Sequence, residues 1–439
     1  MTEISISAPA VNALLALHNA DGERGAVLYL CFDSESGRYL VQEIEIAEEA
    51  DRLSASEIEI TFAPQFLTRV TRRARDKKQH LALLHTHPNG ATEFSLTDNQ
   101  TEQGLAEFMR RRMPDGHTFS VILCDGKFKA RWFGTEECIS VRQIGADIIR
   151  SVTTSTVKSD DERYNRQICA FGERGQDILR ELTVAIVGLG GTGSLVAQQL
   201  AHLGVGAFIL IDHDTVEETN LNRVVGAKLD SIGKLKVEVA AELISRVNSL
   251  ARIHNHAGSV LTEQARKLMC NADCIFVCTD SHVSRAFLSE FAFQYLIPAF
   301  DIGVSISAND GHVRAITGRT QMLAPGLPCL LCSNALDARV IREELMTPEQ
   351  RAADPYFISG GVKQPAVISI NSTMASLAVT MFLSAFTGVP ARARWQSYDA
   401  LTGNVRVFAT KPDSECPICG VAGVIAAGDS RHLNFLPQE

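Results

Sequence analysis

The stretch from Thr183 to Lys236 restricts the fold more than any other part of the chain. It opens TVAIVGLGGTGS, an apolar strand running into a glycine turn. Gly188, Gly190 and Gly193 keep Gly-x-Gly-x-x-Gly spacing, with Gly191 in addition. Such a turn lets backbone N–H groups approach a phosphate at the start of the next helix. A second strand, AFILI, ends in Asp212, placed to hold a ribose hydroxyl. The segment DHDTVEETNLNR then supplies Asn220 and Arg223, and GKLK supplies Lys236. A nicotinamide enzyme has no evident use for that polar and cationic set. A nucleoside triphosphate does, because its phosphates need cations and amide donors.

This stretch resembles the ThiF/MoeB/ubiquitin-activating family of adenylating enzymes, and the likeness extends from about Arg163 to Cys419. The resemblance implies a doubly wound Rossmann-like fold. It implies an enzyme that uses ATP and magnesium to adenylate the C-terminal glycine of a ubiquitin-like or sulfur-carrier protein. Carried over, Asp212 contacts ribose, and Asn220, Arg223 and Lys236 contact the phosphates. Asp280, in CTDSHVSR after the apolar strand CIFV, binds magnesium or orients the attacking carboxylate. Arg166, in RYNRQ, reaches the nucleotide site of a second protomer, so the resemblance also implies a homodimer.

Two Cys-x-x-Cys pairs, Cys329 with Cys332 and Cys416 with Cys419, offer four thiolates for one structural zinc. The gap between the pairs is unlike a zinc ribbon, but it matches this family, in which the metal clips the C-terminal segment to the domain. Thioester-forming members carry a cysteine before a Gly-Val-x-x-Pro segment. Here that segment is Gly361-Val362-Lys363-Gln364-Pro365, the expected position holds Phe357, and no cysteine lies between Cys332 and Cys416. The expectation is an acyl-adenylate without a cysteine thioester on this chain. Ser359 is the hydroxyl alternative.

The first 150 residues carry a different chemistry. Strand signals stand at GAVLYLCF, YLVQEIEI and HLALLHTH, and helices are expected at about Ala8–Asn19, Pro64–Asp76 and Leu96–Arg112. TFSVILC and KFKARWF read as a hairpin around Asp125-Gly126. On a strand, residues two apart face one side, so His85 and His87 can share a metal. Ser95 and Asp98 follow at a helix start, with Ser95 as N-cap. Two histidines and a carboxylate leave one tetrahedral position for water, as catalytic zinc requires. A second His-x-His, His254 and His256, has no such serine and aspartate behind it.

This pattern resembles the JAMM/MPN metalloproteases, isopeptidases of ubiquitin-like proteins. The resemblance makes His85, His87 and Asp98 zinc ligands and gives Ser95 a part in holding the oxyanion. It also requires an upstream glutamate as general base. Glu23 fits best, with Glu43 and Glu45 as alternatives.

The expected organisation is therefore α/β throughout: a JAMM/MPN-like domain over 1–150, a linker over 151–161, the adenylation domain over 162–425 and a loose tail over 426–439. At 439 residues and 45% hydrophobic composition, two cores are affordable. The net charge of -9 gives no electrostatic case for nucleic acid. The N-terminal MTEISISAPA lacks a signal segment, and eleven cysteines without a disulfide pattern suit the reducing cytoplasm. The uncharged run Gln364–Ala391 is long enough to span a membrane, but Asn371 and several serines and threonines favour a buried helix. The implied activity is cleavage at the C-terminus of a ubiquitin-like protein followed by its adenylation. The setting is conjugation with a conjugating-type carrier, bacterial antiviral defence included, or sulfur-carrier activation with a sulfur donor. A non-catalytic scaffold is disfavoured because both residue sets are intact.

Overall fold

A computed structural model of the chain describes residues 2–18, 22–55, 60–88, 90, 92–151, 162–309, 312–353 and 365–436. The expected linker, with Phe357, Ser359 and Gly361 to Gln364, lies outside the described residues, apart from Ser151. The chain divides into two units: Met1–Thr156 with Gln294–Leu296 and Ile425–His432, and Val157–Phe293 with Ile297–Val424 and Leu433–Glu439.

The first unit is built on one sheet. Its elements are β1 (Glu3–Ser7), α1 (Ala8–His18), β2 (Gly25–Asp33), β3 (Arg38–Ile46), β4 (Arg52–Ala55), β5 (Ile60–Phe62), α2 (Pro64–Asp76), β6 (His80–Thr86), α3 (Leu96–Arg112), β7 (Thr118–Cys124), β8 (Lys127–Trp132), β9 (Cys138–Ile144) and β10 (Ile148–Arg150). The order is β1-β3-β2-β6-β7-β8-β9-β10, and β1 also pairs with β9, which closes the sheet on itself. Strand β1 is an element the sequence reading missed. It is five residues long, fully buried, and completes the closure.

Two clusters of side chains fill the unit. One gathers Val11 and Leu14 of α1 with Leu28, Leu84, Phe119 and Val121. The other gathers Phe66, Leu67 and Val70 of α2 and Met109 of α3 with Val27, Tyr29, Leu81 and Leu83. Alternate residues of β2 and β6 thus serve different cores, as a period of two requires. The β7–β8 hairpin turns at Asp125 and Gly126, both with positive φ (47° and 74°), the conformation of a two-residue hairpin loop.

The second unit alternates helix and strand: α4 (Asn165–Glu181), β11 (Thr183–Val187), α5 (Gly191–Leu203), β12 (Ala207–Ile211), α6 (Lys236–Val247), β13 (Arg252–His256), α7 (Glu263–Cys270), β14 (Cys274–Val277), α8 (His282–Gln294), β15 (Ala299–Asn309), β16 (His312–Leu323), α9 (Ala338–Leu345), α10 (Pro348–Ala353), α11 (Ile368–Thr387), β17 (Trp395–Asp399) and β18 (Asn404–Val407). The sheet order is β13-β12-β11-β14-β15-β16-β17-β18. Strands β13 to β15 are parallel and β16 to β18 antiparallel. The order reverses between β11 and β14, so a crevice opens beyond their carboxyl ends. Helix α11 is apolar and long enough to cross a membrane, with half of its most apolar window buried. Its buried residues, Asn371 among them, include Met374, Val379 and Phe382, and the helix packs on α5 and β15.

Residues 426–436, described in the structure, are not a loose tail. Ala426 and Leu433 are buried, and Ala426 joins Leu40, Ile144 and Leu296 in a small apolar cluster. Asp429 accepts the Ser34 N–H at 2.8 Å, the Ser34 hydroxyl at 2.7 Å and the Tyr295 hydroxyl at 2.9 Å. Asn434 donates to Glu290 at 2.8 Å. Small residues and short polar side chains looked like tail chemistry, yet their partners lie far off in sequence. Replacing Asp429 with alanine should cost about 1–3 kcal/mol, because it strands several donors. Thermal unfolding measures this, and an unchanged transition would mean that the segment contributes nothing to stability.

Candidate functional site

In the first unit, β6 delivers His85 and, just past its end, His87. Both are buried, at 8% and 5% exposure. Their Nε2 atoms lie 3.0 Å apart. Asp98 comes from the first turn of α3, with Oδ1 3.2 Å from His85 Nε2 and Oδ2 3.6 Å from His87 Nε2. Ser95 is the N-cap as expected: its Oγ accepts the Asp98 N–H at 3.0 Å, and Asp98 Oδ2 accepts the Ser95 N–H at 2.7 Å. This reciprocal cap fixes the carboxylate toward the histidines. Burial opposes ionisation of Asp98, but hydrogen bonds from His85 and His87 outweigh it and hold the carboxyl well below its usual range. Tetrahedral zinc with nitrogen and oxygen ligands needs ligand atoms about 3.3 Å apart. The donor set fits that spacing.

Glu23 stands on the same spot through strand pairing. In the β2–β6 ladder Gly25 lies opposite His85. The Arg24 N–H continues the pairing to Thr86 Oγ1 at 3.0 Å, and Arg24 accepts from the Thr86 N–H at 2.9 Å. Glu23 therefore falls beside His87, its Oε1 3.9 Å from Nε2, with only 4% of the residue exposed. It lies close enough to share a water with the metal position without being one of its three closest donors. The alternatives are engaged elsewhere. Glu43 pairs with Arg73 and Lys77, and Glu45 accepts from the Tyr29 hydroxyl at 2.6 Å and from Arg73 at 2.9 Å. Arg131, which the sequence reading passed over, ties α3 down: it donates to Asn99 at 2.6 Å and to Glu102 at 2.7 Å, one and four residues past Asp98. Its guanidinium also covers Phe94, 3.7 Å from the ring centre.

In the second unit, the glycine turn faces the end of β14. Gly188 has φ of 87°, and a Cβ there would lie 2.8 Å from the Cys278 carbonyl. A Cβ on Gly193 would collide with the Gly188 carbonyl oxygen. Gly190 precedes α5, and Gly191 begins it, with Asn371 of α11 packed against it. Asp212 directly follows β12 and is buried. It accepts the Leu189 N–H at 2.6 Å and the Asp214 N–H at 2.8 Å, so it braces the turn as well as facing the crevice. Asn220 is buried and accepts the Glu217 N–H at 3.3 Å. Arg223 donates to the Thr219 carbonyl at 2.6 Å. Lys236 begins α6 and donates to Asp214 at 2.7 Å. Asp280 is exposed in the loop after β14, and Arg166 is exposed on α4. Glu344 of α9 was not foreseen. Its carboxylate accepts from the Ser281 hydroxyl at 2.8 Å and from the His282 and Val283 N–H groups at 3.0 and 2.9 Å, capping α8 beside Asp280.

Residues 164–418 match the model of the ThiF family. The chain belongs to the ThiF family. Residues 8–133 match prokaryotic homologs of the JAB domain, so the chain joins a JAB-type unit to a ThiF unit. The molybdopterin-synthase adenylyltransferase of Escherichia coli (strain K12) is 31% identical over 266 residues, covering 60% of this chain and 98% of that protein. The sulfur carrier protein adenylyltransferase of Thermus thermophilus is 27% identical over 265 residues, covering 60% and 92%. Among solved structures, E. coli MccB with ATP is 21% identical with a TM-score of 0.46, covering 60% of this chain and 75% of that one.

The ThiF unit also gathers the four cysteines. Cys329 and Cys416 approach to 3.5 Å between sulfurs, and Cys332 and Cys419 to 3.4 Å. All four sulfurs lie within 4.8 Å of one another. Zinc–sulfur bonds of 2.3 Å in a tetrahedron put sulfurs about 3.8 Å apart, so the cage fits with small relaxation. The hydrogen bond to Cys419 favours the Cys329 thiolate, lowering its pKa to about 5. His254 and His256, by contrast, belong to no such group among the described residues.

Both donor sets could hold a metal ion, one with an open position and one closed by four thiolates. Purified protein should carry two zinc ions per chain, one at each donor set. Replacing His85 and His87 with alanine should remove one and leave the fold intact. Cys329→Ser should remove the other and lower the unfolding temperature, because structural zinc contributes to folding. Elemental analysis of the two variants checks this, and a native protein with one zinc or none would refute it.

Proposed function

We propose that this chain is a bifunctional enzyme acting at the C-terminus of a ubiquitin-like protein. The JAB-type unit cleaves a peptide or isopeptide bond after the terminal glycine, and the ThiF unit adenylates the freed carboxylate with ATP and magnesium. The observation that carries the reading is that both donor sets are complete on one chain: a buried His-His-Asp triangle with Glu23 beside it, and a glycine turn packed against the loop of Asp280. The names of the relatives, adenylyltransferases for molybdopterin synthase and for a sulfur carrier, support the second activity.

Zinc held by His85, His87 and Asp98 would supply Lewis acidity to the scissile carbonyl. Glu23 takes a proton from the attacking water and returns it to the departing amine. Burial beside His87 keeps that carboxylate in place between the two transfers. Ser95 fixes Asp98 through the cap and turns its hydroxyl hydrogen toward the developing oxyanion. In the ThiF unit the freed carboxylate attacks the α-phosphorus of ATP, forming the acyl-adenylate and releasing pyrophosphate. Amides of the turn at Gly188 to Gly193 hold phosphate oxygens at the start of α5. Asn220, Arg223 and Lys236 add donors and positive charge, Asp212 holds the ribose, and Asp280 would hold magnesium or orient the carboxylate. Lys236 leaves Asp214 to do so.

The acyl group then passes to a partner thiol: no cysteine lies between Cys332 and Cys416, and those two, with Cys329 and Cys419, form the four-sulfur group that would hold zinc. Ubiquitin-like conjugation and sulfur-carrier activation are the two settings. The sulfur-carrier and molybdopterin-synthase relatives favour the second. The active form is a homodimer in which Arg166 enters the partner's nucleotide site.

Glu23→Gln should lower cleavage of a ubiquitin-like precursor by about 10²–10⁴-fold with zinc content unchanged. Full cleavage by the variant would move the base to another residue. Arg166→Ala and Asp280→Ala should each abolish pyrophosphate exchange, and mixed heterodimers should regain part of it. No recovery in a verified heterodimer would place Arg166 in cis or outside the reaction. Exchange should proceed without a covalent adduct sensitive to reducing agents, and an adduct lost with one cysteine substitution would overturn that route.

A further inference from the structure

A buried charge cluster lies beside Asp280. Asp301, on β15, is fully buried and accepts from two guanidinium groups. Arg285 of α8 donates Nε to Oδ1 at 2.8 Å and Nη2 to Oδ2 at 2.6 Å. Arg319 of β16 donates Nη2 to the same Oδ2 at 2.5 Å. Two cations thus share one buried anion in a region where ions are costly to hold. Burial lowers the Arg319 pKa; the attraction of Asp301 opposes this, and repulsion from Arg285 adds a smaller lowering.

The position of the cluster is specific. Asp301 pairs with Val277, three residues before Asp280. Arg319 pairs with Gly303, two residues further toward the carboxyl end of β15. The cluster is therefore one strand over from β14, and Arg319 lies on its outer side. The Arg319 side chain is one-fifth exposed, against one-tenth for Arg285. Gly303 leaves room for the Arg285 guanidinium, since a Cβ there would come within 3.3 Å of Nη2. Arg285 also feels the field of Asp280. Two largely buried guanidiniums that share one carboxylate hold more donors than it can accept, which suits a further anion.

Resting on the adenylation reading above, we propose that the Arg285–Asp301–Arg319 cluster receives the C-terminal carboxylate of the protein substrate and holds it next to Asp280 for attack on ATP. Asp301 is the positioning residue that keeps the two guanidiniums together, and Arg319 is the group that meets the substrate. The triphosphate has its own donors at the glycine turn, Arg223 and Lys236, on the other side of β14. The carboxylate is the anion of this reaction left without a partner.

The test uses the full-length protein with magnesium and a non-hydrolysable ATP analogue. The probe is a fluorescent peptide ending in Gly-Gly, compared as free acid and as C-terminal amide by anisotropy. The native protein should bind the acid about tenfold or more tightly than the amide. Arg319→Gln should erase that preference and leave the affinity for the ATP analogue unchanged. Gly303→Ala, which presses on Arg285 and preserves every charge, should reduce the preference several-fold and serves if Arg319→Gln fails to fold. A preference retained by both variants would make the cluster structural only. Lost affinity for the ATP analogue would make it a phosphate site. Either result overturns the proposal. Equal binding of acid and amide by the native protein would instead refute the underlying choice of substrate.

Discussion

Backbone buried in a sheet must be paired along its length, so side-chain chemistry gathers where strands end. Both units obey this. The His85–His87–Asp98 cluster sits where β6 runs out at Thr86, and its neighbour Glu23 precedes the first residue of β2. The glycine turn follows β11, Asp212 follows β12 and Asp280 follows β14. The inner strands are largely apolar, with His85 near the end of β6 and Asp301 in β15 as exceptions. They fix the positions from which functional groups emerge.

Helix starts complete each site in turn. At α3 the cap formed by Ser95 and Asp98 orients a ligand carboxylate. At α5 the glycine turn keeps amides open to a phosphate, and the clash a Cβ on Gly193 would make with Gly188 explains why the turn tolerates no side chain there. At α8 the amides are already taken by Glu344, which anchors α9 beside Asp280. One feature, the unsatisfied N–H groups of a first turn, thus orients Asp98 at α3, stays open at α5 and docks α9 at α8.

What the sequence made legible was local. His85, His87, Ser95 and Asp98 lie within fourteen residues, and strand and helix periods alone bring them together. The glycine spacing and the Cys-x-x-Cys pairs are equally compact signals. Glu23 was harder, because its place depends on the register of β2 against β6 across sixty residues, and only the paired ladder separates it from Glu43 and Glu45. The Arg285–Asp301–Arg319 cluster left no trace, since three residues from a helix and two strands share no motif. Strand β1 was missed for the same reason: its partners, β3 and β9, are remote. The supposed tail was misread because polar, glycine-containing sequence is compatible with either order or looseness, and distant Ser34 and Tyr295 decide between them.

If the two sites serve one substrate in sequence, the product of the first is the reactant of the second. Pyrophosphate exchange with a ubiquitin-like precursor extended beyond its glycine tests this directly. The account predicts exchange with the native chain, none with Glu23→Gln, and full exchange by that variant when the mature protein ending in glycine is supplied. Exchange with the extended precursor that survives Glu23→Gln, or none from the native chain with the mature form, would contradict it.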